Sequence, residues 1–358
     1  MLLNKCSLDY CSGVSWLTTT LDSIELEKTL YHLPLSTGLT NDYVIEVNAF
    51  VNKKITGLDG IILDCTGEAP EVARFQELID ILLTAGYTRN QILCIDSSID
   101  FCKEFSNVIL PNWIGSLQYV SNLQQIEPLS SRNTLFLLLA RLPKLHRVRL
   151  VVKFLENELD KFSIISCGSS LAEEGERNDL FDSLVPAQFR NRFPMVLDDS
   201  RVDRHTGSTT VEERFKKCLI NVVVESCFEN CLYGTNGPDS HSWDRLFYTE
   251  KTDKCFYMGQ IPVFLAKKGY ATMLRDVYGF DIFDDIVDHS YDNIVDPMAR
   301  IDAVAQECTR LSAIGMNTIQ STPGLIERFE YNKNQISVVR SRLFADSVII
   351  FNDWIRGL

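Results

Sequence analysis

Short apolar runs bounded by turn residues recur along the chain, and stretches with helical spacing fall between them. In the first third, residues 43–50, 60–65, 91–97 and 107–111 read as strands, and residues 71–85 read as an amphipathic helix ended by Gly86. Strands that alternate with helices predict a parallel sheet. A polar stretch at residues 124–133, with Pro128, Ser130 and Ser131, has the composition of a linker, so a domain boundary is expected there.

The same rhythm then restarts. Strands are expected at residues 134–140, 162–167, 193–197, 218–225 and 261–266, with helices at residues 144–160 and 250–258. After Pro143, Val148, Val151, Val152, Leu155 and Leu159 form one apolar stripe, and Arg149, Lys153, Glu156 and Asp160 line the other side, as in a helix covering one face of a sheet. Residues 171–182, 202–213 and 233–245 are polar and weakly patterned, which predicts long surface loops near a cleft. Residues 300–314 and 334–358 are helical in pattern. The expected organisation is α/β, with an N-terminal Rossmann-like domain over residues 1–127, a second over residues 128–330, and a C-terminal helix over residues 331–358 that packs back on the body.

The 358 residues are 45% apolar, enough for a sizeable core. Forty-eight acidic against 35 basic side chains give a net charge of -13, which argues against a surface built for duplex phosphates. The N-terminus has no basic segment followed by an apolar run, and no apolar window nears the roughly twenty residues of a membrane helix, so a cytoplasmic chain is expected. Eleven cysteines, with Cys94, Cys167, Cys218 and Cys255 in apolar stretches, read as reduced and buried. No Cys-x-x-Cys occurs, Cys227 and Cys231 lack a matching pair, and the five histidines are scattered, so a structural zinc site is disfavoured.

Candidate chemistry gathers at residues 218–265. The apolar run 218–224 reads as a strand buried on both faces, which puts the carboxylate of Glu225 at its carboxyl end. Thr249 suits an N-cap, Gly259 a helix stop, and Glu250 and Lys251 then fall in a first helical turn. A lysine there opposes the helix dipole, and an anionic ligand would compensate. A diphosphate fits, with Glu250 accepting from ribose hydroxyls. The plainer alternative is that Glu250 serves the dipole and Lys251 is solvated.

The segments 221–225 (Asn-Val-Val-Val-Glu), 248–251 (Tyr-Thr-Glu-Lys), 259–263 (Gly-Gln-Ile-Pro-Val), 279–284 and 288–291 together resemble the donor-binding half of the alpha-1,3-fucosyltransferase family and its viral and bacterial relatives. Residues 136–147 are similar to the opening of the same domain. The resemblance spans about residues 134 to 300 and implies a GT-B glycosyltransferase, two Rossmann-like domains facing a cleft. It implies that Glu250 holds the ribose of a nucleotide-sugar and Lys251 its phosphates, within the motif Tyr248, Thr249, Glu250, Lys251. It also implies a phosphate-contacting arginine, Arg141 or Arg147, and a donor-sugar carboxylate, Glu225 or Glu229. An inverting transfer is implied, with the nucleotide-sugar as co-substrate and no resident cofactor.

An acid/base group is expected from the opposite domain, within hydrogen-bond reach of the acceptor hydroxyl. Glu68, between Gly67 and Pro70, is the first candidate and Asp64 the second, with Asp96 also at a strand end; turn and cap roles would explain Asp64 and Glu68 equally well. Asp198-Asp199 and Asp284-Asp285 do not make an Asp-x-Asp, and a lysine with a helix N-terminus neutralises a leaving diphosphate without magnesium, so no obligatory metal is expected. No Gly-x-Ser-x-Gly and no P-loop occurs. Trp243 with His241 is a candidate sugar-stacking pair. Two other readings keep part of this picture: a sugar transferase acting on hydroxymethylated DNA bases, for which Lys53, Lys54, Arg89 and Lys103 are thin material, and a glycan- or nucleotide-sugar-binding protein without catalysis.

Overall fold

In the computed structural model, residues 30–34, 42–52, 57–64, 72–96, 106–109, 126–140, 144–168, 183–195, 209–225, 228, 246 and 248–358 are described. The chain divides into two units. One comprises residues 1–117, 236–249 and 338–358, and the other residues 118–235 and 250–337.

The first unit contains β1 (Leu30–Pro34), α1 (Asp42–Asn52), β2 (Gly60–Asp64), α2 (Val72–Thr84), β3 (Ile92–Asp96) and β4 (Ser106–Ile109). The strands form one parallel sheet in the order β1-β2-β3-β4. Side-chain alternation sorts its two faces. Leu33, Ile61, Leu63, Ile92 and Cys94 pack against Val47 and Phe50 of α1 and Leu78, Ile79 and Leu82 of α2. Ile62, Leu93 and Ile95, of the other parity, are buried as well. Burial on both faces is why these strands read as unbroken apolar runs.

Residues 43–50 are helical rather than extended, which corrects the expected strand. Val47 and Phe50 are buried while Asn48 and Ala49 are exposed, a spacing of three that alternation does not produce. The β-branched valines and isoleucine of this stretch favour strands locally, and packing of one face overrides that preference. The short strand β1 was not expected, since His32 and Pro34 interrupt its apolar pattern.

The second unit contains β5 (Thr134–Ala140), α3 (Leu145–Glu156), β6 (Ser163–Cys167), α4 (Thr209–Lys217), β7 (Cys218–Val224), α5 (Glu250–Tyr257), β8 (Ile261–Leu265), α6 (Tyr270–Asp276), α7 (Pro297–Ile314) and α8 (Met316–Gln320). The final helix, α9 (Leu325–Gly357), contributes residues 325–337 to the second unit and 338–357 to the first. The second sheet is also parallel, in the order β6-β5-β7-β8. Phe136, Leu138 and Ala140 join the core shared with α3 and α7, whereas Leu137 and Leu139 pack with Phe215 of α4 and Met258. All seven residues of β7 are buried, and each large apolar side chain among them contributes on the order of 1.5–3 kcal/mol.

Three further expectations change. Of the strand expected at residues 193–197, only residues 193–195 are described, and they form no strand: Met195 makes a single antiparallel bridge to Cys167. Residues 209–213, expected in a loop, begin α4. The helix expected through residue 160 ends at Glu156, and a 3-10 turn at Leu159–Phe162 follows. Cys94, Cys167, Cys218, Cys255 and Cys308 are buried free thiols. Among the described residues, no helix is long and apolar enough to cross a membrane.

Candidate active site

The amino-terminal end of the second sheet is closed by backbone-directed polar groups. Buried Arg132 donates from Nη1 to Cys218 O and from Nη2 to Met258 O, at 2.9 and 3.1 Å. Burial lowers its pKa to about 10. Gln260 donates to Phe215 O and Cys218 O and accepts from Asn221. The bonds that Arg132 and Gln260 donate to main chain stitch strand starts to helix ends.

The carboxyl end differs. Between β5 and β7 the strand order reverses, with β6 on one side of β5 and β7 and β8 on the other. Successive connections leave such a reversal in opposite directions, which opens a crevice outside the carboxyl ends where ligands of open α/β sheets bind. Glu225 directly follows β7 at this edge, and its main chain is held on both sides. Its N–H donates to Leu265 O at 3.0 Å, and its carbonyl accepts from His146 Nε2 at 3.1 Å.

Its carboxylate is 1% exposed and surrounded by polar groups. Oε1 accepts from Thr252 Oγ1 at 3.0 Å and from Tyr270 OH at 2.9 Å. Oε2 lies 3.9 Å from Lys251 Nζ. The same ammonium is 3.4 Å from Glu250 Oε1. Lys251 therefore stands between two carboxylates, one locked and buried, the other about one-third exposed.

Electrostatics follow this arrangement. Burial opposes the charge of Glu250, but the ammoniums of Lys251 and Lys254 outweigh it and hold the carboxyl below its ordinary value. Burial lowers the Lys254 ammonium, and Glu250 partly restores it. Burial, then the neighbouring Glu225 carboxylate, pushes the Tyr270 phenol well above its ordinary value, so it stays protonated and available as a donor. His146 stacks on Phe228 with ring centroids 4.9 Å apart. Burial, then the charges of Arg147 and Lys144, hold its pKa well below the ordinary 6.5, so the imidazole is neutral and carries its hydrogen on Nε2.

Of the sequence-predicted residues, the structure brings Glu225, Glu250 and Lys251 together. Tyr248 and Thr249 are buried and immediately precede α5. Arg147 is buried in the first turn of α3, the helix that follows β5. Its charge partly offsets the burial that raises the Cys167 thiol to about 12. Asp64 is buried at the carboxyl end of β2 in the first unit. Arg141, Glu68, Glu229, His241 and Trp243 lie outside the described residues, as does the side chain of Asp96.

Thr252 and Tyr270 escaped sequence reasoning. The available signal was positional: Tyr270 opens the helix after β8, at the same edge as Glu225. The motif at residues 288–291 serves main chain instead. His289 Nε2 donates to Ile282 O, Tyr291 OH donates to His289 Nδ1, and Phe264 N donates to Tyr291 OH, which anchors β8. No family model, curated protein or solved structure matches this chain.

Proposed function

We propose that this chain is a glycosyltransferase that moves a sugar from a nucleotide-sugar donor to an acceptor hydroxyl. In this reading its two α/β units act as the facing domains of a GT-B enzyme, inverting, metal-independent and fucosyltransferase-like. The observation that carries the proposal is the Glu225–Lys251–Glu250 cluster at the carboxyl edge of a parallel sheet, beside the reversal of its strand order. An ammonium in the first turn of a helix, at the positive end of its dipole, suits a diphosphate. A carboxylate that nearby cations keep ionised suits a ribose diol.

In the proposed reaction the acceptor hydroxyl loses its proton to a carboxylate, with Glu68 or Asp64 as candidates. Its oxygen bonds to the anomeric carbon while the bond from that carbon to the diphosphate oxygen breaks. Lys251 and an arginine, Arg141 or Arg147, meet the charge that develops on the departing diphosphate. Glu250 orients the nucleotide, and Glu225 lines the donor pocket.

A thermal-shift panel of nucleoside diphosphates and nucleotide-sugars tests the proposal. A bound donor raises the melting temperature progressively as its concentration passes the dissociation constant, by about 2.7 kcal/mol of added stability at a hundredfold excess over it. A flat response to every nucleotide would overturn the reading.

A further inference from the structure

We propose that Tyr270 and Thr252 are positioning residues that fix the Glu225 carboxylate and, through it, the ammonium of Lys251. The inference rests on the reading that Lys251 meets a diphosphate. Its observation is separate from that reading: a hydroxyl pair from two elements converges on one carboxylate oxygen.

Thr252 comes from the first turn of α5, and Tyr270 opens α6 after β8. Both side chains are at most 1% exposed. Their hydroxyls lie 2.9 Å from each other and 3.0 and 2.9 Å from Glu225 Oε1. A carboxylate oxygen offers two lone pairs, so two donors fill Oε1. With Glu225 N bonded to Leu265 O and Glu225 O bonded to His146, the residue is held at main chain and side chain alike. The carboxylate plane is then fixed, and Oε2 is the oxygen turned to Lys251, at 3.9 Å.

That distance marks a loose ion pair rather than a tight charge-assisted bond, which closes to about 2.7–2.9 Å. Held back by two hydroxyls, Glu225 attracts the ammonium without capturing it. Releasing one hydroxyl leaves a buried oxygen short of a donor, and the ammonium 3.9 Å from the carboxylate's other oxygen is a charged donor within reach. The carboxylate then swings to Lys251, and the ammonium is withdrawn from the ligand. The two hydroxyls thus act on the ligand through Glu225, touching neither phosphate nor sugar.

The test is calorimetric titration of the full chain with uridine, guanosine, adenosine and cytidine diphosphates. The best binder is then carried through Tyr270→Phe, Thr252→Val, Thr252→Ser, Glu225→Gln and the pair Glu225→Gln/Tyr270→Phe. Tyr270→Phe and Thr252→Val are each expected to weaken binding about tenfold, the loss of one hydrogen bond to a charged group. Thr252→Ser keeps the hydroxyl and keeps affinity. In the Glu225→Gln background, Tyr270→Phe is expected to cost nothing further, because the charge it positions is gone. A general packing role would lower the melting temperature of each variant without this non-additivity.

Wild-type affinity in Tyr270→Phe and Thr252→Val overturns the inference, and so does an equal loss with and without the Glu225 charge. If Tyr270→Phe does not fold, the contrast between Thr252→Val and Thr252→Ser decides. A wild-type chain that binds none of the four diphosphates instead removes the proposed function, and the inference with it.

Discussion

The two sheets are built from the same parts and differ in how their strands are connected. The first runs β1-β2-β3-β4, each described crossover moving the chain the same way along the sheet. The second runs β6-β5-β7-β8, so the chain steps to one side, crosses back over β5 and continues outward. With right-handed crossovers, an unreversed order places the connecting helices on one face, and a reversal divides them between both. The cores agree: α1 and α2 share one face of the first sheet, while α3 and α4 lie on opposite faces of the second. Open α/β sheets bind ligands outside the carboxyl ends of their strands at such a reversal. It is at this edge of the second sheet that a buried carboxylate is ringed by two hydroxyls and an ammonium.

The largest expected effect breaks the comparison on its functional side. Lys251→Ala should reduce nucleoside-diphosphate affinity and any transfer rate by about a hundredfold, the scale of removing one group that stabilises developing charge. Circular dichroism should stay near wild type because the side chain is partly exposed, while the melting temperature falls somewhat as the buried Glu225 carboxylate loses a nearby ammonium. Unchanged binding in this variant removes the lysine from the site.

Close backbone approaches in the two units give the next effect. A Cβ on Gly60 would stand 2.7 Å from the Trp354 ring, and one on Gly259 would stand 2.6 Å from Ile126 Cγ2. Gly259 also has φ +61, where an L side chain is strained. Alanine at either position is expected to cost about 1–3 kcal/mol in urea unfolding, with Gly259→Ala the larger because strain adds to overpacking. Wild-type midpoints would show that these contacts relax freely.

The smallest effect is a pH dependence within the second unit. Burial lowers the pKa of both His146 and His289 below the ordinary 6.5. The folded chain therefore holds them neutral while the unfolded chain binds protons, and stability falls as pH drops through 6.5. Between pH 7 and 6 the pair should cost on the order of 1 kcal/mol, a window above the titration of the ion-paired carboxylates. Chemical denaturation at both pH values checks it, and His146→Asn should remove part of the slope. Equal stability at pH 7 and 6 would contradict neutral burial.

Most of the second sheet was legible in the sequence because its strands are buried on both faces and bounded by turn residues. The apolar run ending at Glu225 gave both β7 and the carboxylate at its tip. The Thr-Glu-Lys at residues 249–251 marked the start of α5. The strand expected at residues 43–50 became α1 because local β-propensity loses to burial of a single helical face. Thr252 and Tyr270 were not legible at all. Eighteen residues separate them, neither stands in a patterned position, and they meet only because parallel strands bring successive helix starts to the same edge. The arginine expected to meet a donor's phosphates stays divided between Arg141 and Arg147, since a basic pair near one helix start satisfies the same pattern twice.

The central claim is that Lys251 receives the diphosphate of a sugar donor at the carboxyl edge of the second sheet. A crystal structure of the chain with a nucleoside diphosphate measures this directly. The account predicts Lys251 Nζ at charge-assisted hydrogen-bond distance, about 2.7–2.9 Å, from a phosphate oxygen, with the ribose hydroxyls on Glu250. A nucleotide bound elsewhere, or Lys251 still paired with Glu225 and Glu250 beside it, would contradict the account.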